Sequence, residues 1–250
     1  MNGIGIYDEY LIRGNEAKIW SAIIKLGDKI NNEPYFEEFA LVMNVIMERV
    51  VNNFFIIKSE LSEAGYVFEN LGNINLDYNV FEKNNVSNLS DVSRIDDFFS
   101  DYGCIPHSLS FFYKHIKSID FRGYFSEWKN PYFLDAIYLF PISGLLEINE
   151  SPTIIDEGSE SHVCVLISPN EYVKENVSGD GLEYAIELSK PRKLPDSRVF
   201  GCPGKIPFID YLRLCFKWGG LAGLALFDEE EIPRPILRTL KSIREQMLPI

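Results

Sequence analysis

Between residues 15 and 61, apolar side chains recur at intervals of three and four, the spacing that lines one face of a helix. Asn15 is a candidate N-cap. Behind it, NEAKIWSAIIKLGDKI puts Ile19, Ala22, Ile23 and Leu26 on one face, and Gly27 marks the end. After Pro34, Phe36, Phe39, Met43, Met47, Val50 and Phe54 repeat the pattern over 35–61, predicting a long and broadly buried helix. That Met and Phe stripe reads as core packing in preference to the lining of a ligand tunnel.

The pattern breaks over 70–93, where Asn, Asp and Ser dominate and apolar residues are scattered; a loop or linker is predicted. Two N-x-S matches in it read as accidental. From residue 94 short helices alternate with short strands. Helices are predicted in SRIDDFFSDYG and IPHSLSFFYKHI, and strands in SIDFRGYF, FLDAIYLFPI, HVCVLIS and EYAIELS. Turn-forming stretches such as NESPTIIDEGSES and VSGDGL separate them, without the regular helical crossovers of a parallel sheet. The expectation is an α+β fold, with a mainly antiparallel sheet packed by helices. A helical N-terminal region and linker, 1–93, would precede an α+β domain, 94–250, or form one continuous domain with it.

FIDYLRLCFKWGGLAGL fits this frame. Phe208, Tyr211, Leu212, Cys215 and Trp218 share a face of a helix that starts after Pro207 and stops at Gly219 and Gly220, whose freedom at positive φ lets Leu221 and Leu224 fold back on the core. RPILRTLKSIREQML predicts a last amphipathic helix.

Composition narrows the partners. The chain of 250 residues carries a formal net charge of −13, which disfavours binding to a phosphate backbone and suits a basic protein surface. With 46% hydrophobic and 14% aromatic residues it has material for a full core. The N-terminus shows no basic region followed by a long apolar run, and the uninterrupted apolar runs are short for a bilayer span. The chain therefore reads as cytoplasmic, or as a mature chain whose signal has been removed, with no membrane partner.

Candidate chemistry is sparse. Cys104, Cys164, Cys202 and Cys215 form no C-x-x-C pair, and His107, His115 and His162 stand in no metal-ligating spacing, so neither a metal nor a cofactor is expected. A nucleophile assembled from Cys104 or Cys202 with a distant histidine is the alternative, and would make the chain a small hydrolase or transferase. The glycine pairs in NGIGIY and SGDGLEY lack a full phosphate-binding fingerprint. Carboxylates cluster in IDEGSE and in FDEEEIP, without EF-hand spacing. The second run, Asp228, Glu229, Glu230 and Glu231, is a candidate recognition patch for a basic partner, with Trp128 in SEWKNPY as an aromatic anchor. A third reading has the 35–61 helix serve self-association in a regulatory scaffold.

The stretch IPHSLSFFYKHIKSIDFRGY resembles the SUKH superfamily, which includes bacterial toxin-immunity proteins and Smi/Knr-like regulators of fungal cell-wall glucan synthesis. Ile105 and Pro106 followed by Leu109, Phe111, Phe112 and Tyr113 look like its apolar-Pro opening of a helix with buried aromatics, and SIDFRG is similar to the next strand. The resemblance covers roughly the C-terminal two-thirds of the chain. It implies a non-enzymatic α+β module that binds another protein; immunity members block a toxin.

Overall fold

A helix of 29 residues, α3 (Tyr35–Glu63), carries the core. Phe39, Met43, Ile46, Met47, Val50, Phe54, Ile57 and Leu61 follow one another at threes and fours along it, and all are fully buried. By length and apolar content α3 would also cross a membrane, contrary to the short uninterrupted runs, yet half of its most apolar window is buried inside the protein. The computed structural model describes residues 5–12, 14–70, 72–76, 89–128, 133–202 and 204–250.

Around α3 pack α1 (Ile6–Leu11), α5 (His107–His115) and α9 (Arg234–Gln246). α2 (Glu16–Leu26) contacts α1 and ends at Gly27, whose φ is 55°. α4 (Leu89–Phe99) and α8 (Phe208–Lys217) both contact α5. The strands form three antiparallel sheets. β1 (Tyr66–Phe68) pairs with β4 (Gly123–Phe125). β2 (Asn73–Leu76), β3 (Ile116–Asp120) and β5 (Tyr138–Leu139) make the second. β6 (Thr153–Glu157), β7 (Glu160–Ser168), β8 (Tyr184–Glu187) and β9 (Val199–Phe200) make the third. α6 (Ile142–Ile148) and the one-turn α7 (Glu171–Lys174) lie between strands. The fold is α+β, with antiparallel strands throughout.

The alternation of strand side chains organises the third sheet. Val165, Ile167, Tyr184, Ile186 and Val199 point into the main core, while Cys164, Ala185 and Phe200 form a small cluster of their own on the other face. The main core is continuous from Tyr10 to Ile250, so the N-terminal helices and the residues after 94 share one interior.

The structure departs from the sequence pattern in several places, among them SIDFRGYF, predicted as one strand, which divides into the end of β3 and the whole of β4 in separate sheets. Within 70–93 the chain forms β2, because Ile74 pairs with Ile119 on β3, and α4 starts at Leu89; residues 77–88 of that segment lie outside the described residues. Residues 153–157, read as turn, are the edge strand β6, joined to β7 through a two-residue Gly-Ser loop with Gly158 at φ 65°. FLDAIYLFPI yields only the two-residue β5, since the chain leaves the sheet at both ends.

α8 begins after Pro207 as its sequence requires. The buried Asp196 supplies the cap: Oδ1 accepts from Phe208 N at 3.0 Å and Oδ2 from Ile209 N at 3.0 Å, with Ser108 Oγ donating at 2.7 Å. Burial nevertheless pushes this carboxyl up to about 6. At the other end Gly220, at φ 82°, gives its N–H to Cys215 O at 2.8 Å and accepts from Ile137 N at 2.7 Å. A Cβ there would meet Phe121 at 3.1 Å.

Candidate functional site

At the C-terminal end of α3, Gly65 (φ 81°) turns the chain into β1. The β1–β4 ribbon sets Tyr66 opposite Phe125, with ring centroids 4.9 Å apart, and Tyr66 hydroxyl donates to Phe121 O at 2.9 Å. The two backbones come so close that a Cβ on Gly123 would stand 2.2 Å from Val67 O. The inner face is therefore aromatic and rigid. On the outer face Val67 and Tyr124 lie directly opposite one another, 42% and 53% exposed.

Beyond β4, Trp128 N–H donates to Phe125 O at 3.2 Å, closing a turn that points the indole back along the ribbon. The ring is half-buried, at 5.7 Å from Phe227 and 6.3 Å from Phe125. Phe227 is the residue before Asp228, so the structure brings Trp128 and the acidic run together across 100 positions of sequence. Residues 228–231 are all exposed. Glu229–Glu231 form one 3-10 turn, closed by Asp228 N–H on Glu231 Oε2 at 3.1 Å and by Glu231 N–H on Asp228 O at 2.9 Å.

Trp128, Pro233, Pro235 and Ile236 line a groove of about 350 Å³, with Glu63 and Glu127 on its walls. Arg234 is the cation beside it. Among the described residues no ion pair neutralises Glu127 or any carboxylate of the run, so the negative potential faces solvent. The groove joins a fixed aromatic plane, two prolines with no N–H to satisfy, and an acidic border. That combination has the apolar floor and negative rim that suit an apolar side chain flanked by positive charge.

Comparison of the chain with family models, curated proteins and solved structures finds no match.

The cysteine–histidine alternative finds no geometry among the described residues. Cys202 Sγ donates to Val199 O at 3.1 Å and Cys104 Sγ to Pro191 O at 3.9 Å. Burial pushes the Cys164 thiol up to about 12, and raises those of Cys202 and Cys215 as well, the reverse of what a thiolate nucleophile needs. His107 donates to Asn31 Oδ1 at 2.9 Å between the rings of Phe36 and Phe39, and its basicity drops to about 4 through burial and the Lys193 charge. His115 Nδ1 donates to Phe111 O, and His162 Nδ1 to Glu187 Oε1 at 2.8 Å. No grouping of His, Cys, Asp and Glu suited to a metal occurs among the described residues, the IDEGSE cluster included.

A second polar cluster was invisible in the sequence. Asp135, at φ 47°, receives Lys174 Nζ on Oδ1 at 2.7 Å and the Tyr184 hydroxyl on Oδ2, and the ammonium sits 4.1 Å from the Tyr184 ring centre. Glu175, raised by burial, accepts from Leu134 N at 2.9 Å beside it. Both carboxylate oxygens of Asp135 are committed, so in the small pocket above it, about 190 Å³, Asp135 is not free to act as an acid or base. This cluster ties α7 to β8 and to the segment entering β5.

Pro233 and Pro235 in the groove, and Val67 and Tyr124 on the outer face of the neighbouring ribbon, are residues that sequence reasoning missed. The alternation of GYF and the doubled proline of IPRP were the available signals.

Proposed function

We propose that this chain is a non-enzymatic protein-binding module whose Trp128 groove and acidic run, residues 228–231, receive a basic protein partner. The observation that carries the reading is the contact of Trp128 with Phe227, the residue before four exposed carboxylates that no ion pair among the described residues neutralises. Interface anchors are typically aromatic side chains in a pocket, with charge at the rim governing encounter and orientation. The net charge of −13 favours a basic partner over nucleic acid. The resemblance of residues 105–124 to the SUKH superfamily supports the same class, and extends the proposal to an immunity-type role in which the partner is a toxin domain.

The test is selection of a random peptide library on the immobilised full chain. Enrichment of Lys- and Arg-rich peptides that Trp128→Ala and the fourfold change D228N/E229Q/E230Q/E231Q both weaken supports the reading. Enrichment that ignores both changes overturns it.

A further inference from the structure

At the far end of α9 from the Trp128 groove, the C-terminal turns of α8 and α9 and the chain after Met247 border an open cleft of about 560 Å³ beside Asn53 of α3. On a chain with net charge −13, three cations line it: Arg213, Lys217 and Arg244. Phe216, Met247 and Leu248 form its apolar wall.

Arg213 is partly engaged by the fold, whereas Lys217 and Arg244 enter no ion pair among the described residues. Arg213 gives Nη1 to Asp210 at 2.7 Å and Nε to Ile250 O at 2.8 Å, while its Nη2 is buried with no hydrogen-bond partner. Lys217 and Arg244 are exposed, and each stands over the Trp218 ring, at 5.6 and 5.5 Å from its centre. One indole thus gathers two like charges, and among the described residues neither has a carboxylate within 4 Å. One acid, Glu16, also lines the cleft: its Oε2 accepts from Gly14 N, itself a lining residue, at 2.9 Å, and its Oε1, buried without a hydrogen bond, faces the charge of Arg49 at 3.7 Å. Two uncompensated cations, an unmatched guanidinium donor and an apolar wall of ligand-sized dimensions define what would fill the space.

We infer that this cleft is a binding site for a small organic anion, an oxygen-bearing anionic head on Arg213, Lys217 and Arg244 joined to an apolar body against Phe216, Met247 and Leu248. A guanidinium pairs with carboxylate and phosphate alike, so the chemistry shared by both heads is what the site recognises.

Isothermal titration of the full chain with octanoate and with octyl phosphate tests the proposal, with 1-octanol supplying the body without the charge and inorganic phosphate the charge without the body. Saturable one-to-one binding of at least one amphiphilic anion, tighter than either control, is expected, and the tighter arm identifies the head group. Both substitutions in K217Q/R244Q fall on exposed side chains and leave the fold intact; the double variant should bind at least about tenfold more weakly. The fourfold change at 228–231 should leave this binding unaltered, which separates the cleft from the partner groove. Absence of saturable binding by both anions, equal affinity for either control, or undiminished binding by K217Q/R244Q would overturn the inference.

Discussion

Lys174→Met is the sharpest probe of how the interior is held. The Lys174 side chain is 1% exposed and that of Asp135 is 7% exposed, and the two meet at 2.7 Å. Methionine keeps the unbranched stem and removes the ammonium, so Asp135 retains only the Tyr184 hydroxyl. Breaking a buried pair from one side leaves an uncompensated charge, a loss of about 3–5 kcal/mol. In a chain of this size each kcal/mol moves Tm by about 2–4 °C, so a fall of roughly 10 °C is expected by calorimetry or circular dichroism. The companion D135N/K174M removes both charges. Asn tolerates the φ of 47° at this position and still accepts from Tyr184, so the double variant should regain more than half of the loss. A Tm for K174M within about 2 °C of the parent, or a double variant as unstable as the two single changes summed, would refute the reasoning.

Other outcomes follow from the same structure. His107 falls from 6.5 to about 4 on folding, so the unfolded chain takes up its proton first, and this residue's contribution to stability is complete above pH 6.5 and lost as pH falls through 4. Asp196, raised from 3.8 to about 6, acts with the opposite sign, adding stability as pH falls from 6 toward 3.8. Urea titrations of H107Q against the parent at pH 7, 5.5 and 4.5 should therefore show the variant gaining relative stability on acidification; parallel profiles would contradict the assignment. Ellman's reagent should modify only Cys104 in the native protein and all four thiols after unfolding, since Cys164, Cys202 and Cys215 are buried; rapid native modification of a second thiol would contradict that packing.

Helices with long apolar stripes were legible because their periodicity is local: α2, α3, α8 and α9 lie where the spacing of Ile19, Phe39, Tyr211 and Leu240 places them. Strands depended on partners. β6 has Ile154 at 65% exposure and no apolar alternation of its own, and it exists because β7 pairs with it through a two-residue turn. β2 likewise sits in an Asn-rich segment and is defined by β3. The site divided in the same way. Trp128 and residues 228–231 stood out by residue type, but their contact through Phe227 spans 100 positions that no spacing rule connects. The Asp135, Lys174 and Tyr184 cluster, and the cations around Trp218, required the tertiary fold to be seen at all.

The central claim is that Trp128 and the acidic run receive a basic partner as one surface. Trp20 and Trp218 are buried, so a partner at that surface reaches Trp128 alone among the three indoles, and the change in emission that W128F abolishes reports that surface. The decisive measurement is the affinity of a library-selected basic peptide for the full chain, followed by tryptophan emission at low and high salt, in the parent and in the fourfold 228–231 variant. The account predicts saturable quenching or shift of Trp128 emission, weakened by salt and at least about tenfold weaker in the variant. Binding that leaves Trp128 emission unchanged and keeps its affinity in the variant would contradict it.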